Sequence, residues 1–318
     1  MLGGLILYWM YRDFDFKTVA DTLMHGMNWT WMLLSFPFGI LAQMFRGWRW
    51  HLTLEPIGEK PRTSTSINSI FLSYAVSLIV PRIGEFSRCG RLRLYDGVSI
   101  PRALVTSVMD RAIPSGPVML IALLTFAFQL RVFNTFFAET GTNLESILSK
   151  FSAAGYAVTA VCGVAVLILA WYLLQRFAIY NKVRTMVRGI WQGIMAVRDV
   201  KHPWLFVAFT LGIWASYFLH YYLTFFCFEA TSHLGMACAL VTFIVGSIAV
   251  IVPTPNGAGP WHFAVKTMLI LYGVGDVDAL NFVLIVHSVQ TLLVVVLGVY
   301  AWTVLSFTRT KSGEMVRC

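Results

Sequence analysis

Apolar residues along the chain gather into runs separated by short charged connectors. Five runs, at 29–48, 103–130, 152–174, 204–228 and 280–307, are long enough for helices that cross a bilayer. A hydrocarbon core of about 30 Å takes roughly 20 helical residues. Residues 2–11 form a weaker sixth run, too short to span comfortably. They fit either a first helix truncated at this start or a short one that thins the bilayer locally. The expected fold class is an all-α polytopic membrane protein with about six spanning helices.

Two further runs, 67–80 and 236–252, are shorter and are stopped by proline, Pro81 in the first and Pro253 with Pro255 in the second. A helix over 67–80 reaches only about 20 Å. Arg-bearing segments flank it on both sides, so the chain enters and leaves on the same side as a re-entrant hairpin over 67–95. The second hairpin, over 236–273, enters from the opposite side and breaks at Pro253-Thr-Pro-Asn-Gly-Ala-Gly-Pro260. In both halves a span, a proline-broken hairpin and a second span follow in that order. This gives an inverted-repeat arrangement, in which paired interrupted segments point to a transporter's central site. The competing reading is that the prolines merely kink ordinary spans.

The whole chain, 1–318, is therefore read as a single membrane domain. Half one covers 12–133, a linker covers 134–201, half two covers 202–307, and a cytoplasmic tail covers 308–318. Within the linker, 177–197 has apolar residues at 183, 186, 187, 190, 191, 194 and 197 against basic or polar ones at 181, 184, 185, 188 and 192. That period describes an amphipathic helix in the headgroup plane.

Composition agrees: 58% of residues are hydrophobic and only 12% charged, against about a quarter charged in an ordinary soluble domain. A soluble cytosolic enzyme and a disordered chain are both excluded. The net charge of +9 is unevenly placed. Segments 46–66, 82–102, 176–201 and 308–318 together hold 18 Lys and Arg against 6 Asp and Glu. Such a bias orients a membrane protein with these segments, and both termini, in the cytoplasm. It also replaces nucleic acid by a membrane surface as the expected partner. The five cysteines form no C-x-x-C pair, so neither a disulfide framework nor a zinc site is implied. Residues 2–11 lack the basic start and small-residue cleavage site of a signal peptide. No cofactor is expected, and self-association into a homo-oligomer stays open.

Three clusters could carry chemistry. The first is Pro81-Arg82-Ile83-Gly84-Glu85-Phe86-Ser87-Arg88, with Arg91 and Arg93 beyond it. Glu85 and Arg88 lie three apart on one helix face and can pair. Guanidinium forks suit phosphate, although Arg91 and Arg93 fit an orientation signal better. The second is Asp110-Arg111, deep in an apolar run. A charge there costs at least about 2.5 kcal/mol on insertion scales, so it is paired or faces a polar cavity. One arrangement has Arg111 meeting Glu85 or a substrate phosphate while Asp110 meets Arg88; the other is a purely structural ion network. The third is the break from Asn256 through Gly257 and Gly259, with His262 and Lys266 on the returning helix. Glycine lets backbone approach a ligand closely, and a helix start favours anions. His262 is either a contact or a satisfied core histidine, and Lys266 can snorkel to the interface. His287 and Gln290 share a face of the last run and could line the same cavity. Asp13-Phe-Asp15 and Asp276-Val-Asp278 match a D-x-D pattern, but both fall in short loops away from the cytoplasm.

Arg49-Trp50, Pro81-Arg-Ile-Gly-Glu-Phe-Ser-Arg88, Asp110-Arg111 and Pro255-Asn-Gly-Ala-Gly259 occur in the order and spacing of a known family. Over almost its whole length the chain resembles the lysylphosphatidylglycerol synthase transmembrane-region family, flippase-like proteins related to the membrane half of the multiple peptide resistance factor. The resemblance implies movement of a phospholipid between leaflets, with arginines meeting its phosphate. Two departures stand out: Asn256 replaces the first glycine of the family's Pro-Gly-Gly-x-Gly, and His262 stands where a glutamate usually follows. A negative charge that would meet a cationic aminoacyl headgroup is thereby lost. The soluble aminoacyl-transfer domain is not in this sequence, so lipid synthesis is not expected.

The functional reading is a bacterial inner-membrane flippase or transporter for an anionic phospholipid or polyprenyl-linked lipid. Its expected headgroup contacts are Arg82, Glu85, Arg88, Asp110, Arg111, Asn256, Gly257, Gly259 and His262, with no catalytic or metal-binding residue. An integral-membrane enzyme that acts on a lipid phosphate, for example by glycosyl transfer, is the second reading. A membrane scaffold without transport is the third.

Overall fold

A computed structural model describes residues 2–12, 16–80, 83–112, 202–250, 252 and 254–308. The run at 152–174, the amphipathic helix at 177–197, most of the run at 103–130, Asp13 and Asp15, Arg82, and the tail beyond Thr308 lie outside the described residues. So does the side chain of Arg111.

Among the described residues all regular structure is helical, apart from an isolated bridge between Met27 and Phe228. The first half contains α1 (Leu2–Tyr11), α2 (Phe16–Asp21), α3 (Trp29–Leu54), α4 (Thr63–Ile79), α5 (Ile83–Asp96) and α6 (Ile100–Ala112). The second contains α7 (Pro203–Phe225), a single turn α8 (Glu229–Ser232), α9 (Met236–Ala249), α10 (Pro260–Leu271) and α11 (Asp276–Ser306). Helix α3 starts where the Asn28 side chain accepts the Thr30 N–H, an N-cap that satisfies one of the free donors at a helix start. Two helices, α7 and α11, are long and apolar enough to cross a membrane.

The helices overrun the hydrophobic runs. Helix α3 continues to Leu54 and α4 begins at Thr63, because helix formation requires backbone hydrogen bonds rather than apolar side chains. Asp276 and Asp278 belong to the first turn of α11 rather than to a loop. Carboxylates are favoured there by the exposed N–H groups of a helix start. Lys266 does not snorkel freely: its Nζ lies 2.7 Å from Asp276 Oδ1, which ties α10 to the start of α11.

Both expected breaks are present as helix pairs. Helices α4 and α5 pack against each other across the break near Pro81, and α9 and α10 do so across the break at 250–259. The two pairs meet, since α4 touches the 3-10 turn Pro255–Gly257. Helix α3 packs along α7, and α4 is enclosed by α3, α5 and α11.

Close packing around α4 relies on small residues. Gly47 of α3 faces Ile67, where an added Cβ would stand 2.8 Å from Ile67 Cα. Gly84 of α5 faces the Ser73 carbonyl, and Gly298 of α11 faces the Ala75 methyl, both too closely to admit any side chain. Three helices thus each present a glycine to α4, which itself carries Thr65, Ser66, Ser69 and Ser73 as buried small residues. Small residues let backbones approach where lipid offers no hydrophobic drive. Gly84→Ala is accordingly expected to pry α4 from α5 at about 1–3 kcal/mol, the usual cost of overpacking. A lowered thermal midpoint of the detergent-solubilised protein would register it.

Outside, α11 exposes Leu292, Val296, Val299 and Trp302, and α7 exposes Trp204, Val207 and Leu211. An apolar surface of this extent suits lipid rather than water. Inside the second half, Phe225, Phe228, Phe282 and Tyr221 form an aromatic core, with Phe225 and Phe282 edge to face at 5.2 Å.

Candidate functional site

Three charged side chains converge where α3, α5 and α6 meet. Arg49 Nη2 lies 2.5 Å from Asp110 Oδ1 and also donates to the Asp110 carbonyl at 2.9 Å. Arg88 Nη1 lies 3.3 Å from Asp110 Oδ2. Its Nε donates to Ser107 Oγ at 2.8 Å and its Nη2 to the Ser107 carbonyl at 3.1 Å. Arg49 Nη1 reaches Thr210 Oγ1 of α7 at 3.3 Å, which links the two halves. The Arg88 guanidinium stacks 4.6 Å from the Trp50 ring, and the Trp50 indole N–H donates to Thr106 Oγ1 at 3.1 Å.

All three charged residues are essentially removed from solvent: Arg49 is 1% exposed, Asp110 3% and Arg88 4%. One carboxylate shares itself between two guanidinium groups. Asp110 meets Arg88, as one sequence arrangement expects, but Arg88 turns to Asp110 and Ser107 rather than to Glu85. Glu85 is half-buried one turn earlier on α5. Arg88 is thereby held among Asp110, Ser107 and the Trp50 ring, while Arg111, the other member of the arrangement expected from the sequence, has its side chain outside the described residues. Arg49 was noted in the sequence only within a motif. What gives it weight is Asp110 on a helix 61 residues away, a partnership no spacing rule reveals.

At the second break, Asn256 adopts φ 52°, Gly257 φ 73° and Gly259 φ 95°, a left-handed run that glycine and asparagine tolerate. The Asn256 side chain donates to Thr291 Oγ1 at 2.7 Å, and its carbonyl accepts from His287 Nε2 at 3.1 Å. The break is thus pinned to α11. His262 is 3% exposed. Its Nδ1 accepts the Gly259 N–H at 3.4 Å, and its ring lies 4.5 Å from that of His287. His262 closes the turn from behind as a partnered core histidine.

Between the halves lies a cavity of about 240 Å³ lined from α3, α4, α7, α9, the second break and α11. Asn256, His287 and Gln290 line it, as do Gln43, Tyr74, Tyr217 and His220. Arg46, one turn before Arg49, packs on two of these tyrosines, with its guanidinium 5.1 Å from the Tyr74 ring and 5.6 Å from the Tyr217 ring. No carboxylate pairs with Arg46 among the described residues, and its Nε is buried without a hydrogen-bond partner. Gln43 Oε1 and Gln290 Nε2 are likewise buried and unpartnered. Buried polar atoms are normally hydrogen-bonded, and these three belong to residues that line the cavity, Gln43 and Gln290, or pack on its tyrosines, Arg46. In the sequence Arg46 stands at the start of the basic segment 46–66, where it reads as part of the orientation signal.

Phe243 and Ser247 line this cavity and also a second, almost wholly apolar groove of about 300 Å³ between α7 and α9. Leu211, Trp214, Phe218, Leu240 and Ile244 complete that groove. Phe243 and Ser247 therefore form a wall common to the cavity and the apolar groove.

Comparison with curated proteins and with solved structures finds no match. The family model described as the lysylphosphatidylglycerol synthase TM region matches residues 1–298, a stretch that takes in the ion network, both breaks and the cavity between them. With all of its described elements helical and most of its length inside that match, the chain is a membrane protein that belongs to the lysylphosphatidylglycerol synthase TM region family.

Proposed function

We propose that this protein moves an anionic phospholipid or polyprenyl-linked lipid between the leaflets of a bacterial inner membrane, with both of its termini in the cytoplasm. The observation that carries the proposal is Arg46, a cation with no carboxylate partner among the described residues, packed on two tyrosines that line the cavity between the halves, a cavity that shares a wall with an apolar groove. A headgroup phosphate would pair with the Arg46 fork, while an acyl or prenyl chain leaves past Phe243 and Ser247 between α7 and α9. Helix pairs α4–α5 and α9–α10 act as re-entrant hairpins within an inverted repeat of about six spans. Helix α4 of the first pair and the break of the second both line the cavity, which supports its role as the central site.

Within this scheme the sequence-derived residues divide their work. Arg88 and Asp110 hold Arg49 and keep α3, α5 and α6 together around the arginine cluster. Arg82, Glu85 and Arg111 are proposed as further contacts of the headgroup. Asn256 lines the cavity from the second break, which Gly257 and Gly259 shape and His262 braces. Native mass spectrometry of the protein released from lipid nanodiscs tests the binding step. Wild type is expected to retain an anionic lipid that Arg46→Gln retains at a much lower level. Equal lipid retention by both would sink the proposal.

A further inference from the structure

We infer that the seam between α4 and α5 is a gate, shut and dry in this structure, that opens to water at the end where α4 begins. The inference concerns the fold and does not depend on what the cavity between the halves binds.

Helix α4 changes character along its length. Of its first seven residues, Thr63 to Ser69, only Ile67 is apolar, whereas Ser73, Tyr74 and Ser77 interrupt an otherwise apolar run from Ile70 to Ile79. Ser66, Ser69, Ser73 and Ser77 stand at i, i+3, i+7 and i+11, the spacing of one helix face. Gly84 of α5 packs onto that face, against the Ser73 carbonyl and the Ser77 hydroxyl. A serine stripe therefore lines the seam.

The two ends of the stripe differ. Ser73 Oγ donates to the Ile70 carbonyl at 2.9 Å and Ser77 Oγ to the Ser73 carbonyl at 2.8 Å. Buried Thr53, Thr106, Thr210, Thr224 and Thr242 on other helices turn back to a carbonyl in the same way. Towards the start of α4 this pattern fails. Thr65 Oγ1, Ser66 Oγ, Asn68 Oδ1 and Ser69 Oγ are buried without a hydrogen-bond partner among the described residues, and so is the Tyr95 hydroxyl at the end of α5. Desolvated polar atoms left unanswered raise the free energy of the shut state. Water between the helices would answer them, so this end parts more readily than two apolar helices would.

A latch holds the end shut. Arg62, the residue before α4, donates from its backbone N–H to Asp96 Oδ2 at 3.2 Å, from Nε to Asp96 Oδ1 at 2.7 Å and from Nη2 to the Tyr95 carbonyl at 3.1 Å. Asp96 is the last residue of α5. Its side chain is 7% exposed and that of Arg62 45%, which puts the pair at the mouth of the seam. Five residues beyond Ser69, Tyr74 lines the cavity, so gate and cavity share one helix.

Thiol accessibility in lipid nanodiscs tests the gate. Ser66→Cys and Ser69→Cys each exchange a buried hydroxyl for a thiol, and Ser35→Cys on α3 is the control, since Ser35 Oγ is buried but donates to the Met32 carbonyl. Labelling by N-ethylmaleimide is read peptide by peptide in a mass spectrometer, which separates the new thiol from the five native ones. Ser66→Cys and Ser69→Cys are expected to react at least about tenfold faster than Ser35→Cys, the ratio that one hydrogen bond to a buried group commands. Adding Asp96→Asn, which withdraws the charge from the latch, is expected to quicken both by about a further tenfold and to leave Ser35→Cys unchanged. The two positions are independent, so either folded variant decides. The gate is overturned if neither position outpaces Ser35→Cys, if Asp96→Asn quickens neither, or if it quickens all three alike. Lipid movement plays no part in the readout, so the outcome stands apart from the reading of the cavity.

Discussion

Asp110→Asn is expected to destabilise the protein by about 3–5 kcal/mol, the cost of removing one partner from a buried ion pair. The substitution keeps shape and volume but withdraws the carboxylate that, among the described residues, meets both Arg49 and Arg88. Two guanidinium groups, 1% and 4% exposed, would then be left without a counter-charge among the described residues. Thr210 and Ser107 accept hydrogen bonds from them but neutralise nothing. Replacing all three members together, Arg49→Met, Arg88→Met and Asp110→Leu, is expected to recover much of the loss, because it also removes the desolvated charges. Thermal unfolding of the detergent-solubilised variants decides the point. A single Asp110→Asn variant within about 1 kcal/mol of wild type would mean that the carboxylate does not hold the two arginines.

Arg46→Gln is expected to do the reverse, weakening anionic-lipid binding by about 10- to 100-fold while the fold survives. Hydrogen bonds to charged groups contribute about 1.5–3 kcal/mol. Arg46 has no carboxylate partner among the described residues, so its removal strands no buried charge. Arg46→Lys should fall between the two, since it keeps the charge but loses both the planar fork and the stacking against Tyr74 and Tyr217. Affinity measured for a short-chain phosphatidylglycerol, alongside the thermal midpoint of each variant, separates binding from folding. A lysine variant as weak as the glutamine variant would place the requirement in guanidinium geometry rather than charge.

Much of the fold was legible because membrane helices announce themselves by composition and length. The two proline-broken runs stand out for the same reason: an apolar stretch that stops short of about 20 residues has nowhere to end except inside protein. Helix ends were less legible, as at Thr63 and Asp276, where polar residues continue the helix beyond the apolar run. The motif arginine Arg88 and the intramembrane Asp110 were recognisable as partners, since a charge in an apolar run needs one. Arg49 and Arg46 were not, because the first acquires meaning from Asp110 on α6 and the second from Tyr217 on α7. Such long-range juxtapositions leave no mark in local spacing. His287 and Gln290 were found by helical periodicity on α11, whereas Gln43, on a helix read only as a span, escaped notice until the cavity placed it opposite them.

Lipid exchange between leaflets tests the central claim most directly. Proteoliposomes loaded with a fluorescent anionic phospholipid or polyprenyl phosphate, with outer-leaflet label destroyed by a membrane-impermeant reductant, report how fast the inner-leaflet pool becomes accessible. Wild type is expected to expose that pool well faster than protein-free vesicles, and Arg46→Gln, folded to the same thermal midpoint, to approach the protein-free rate. Equal rates for wild type and Arg46→Gln, or a wild-type rate no faster than empty vesicles for every lipid tried, would contradict lipid movement through this cavity.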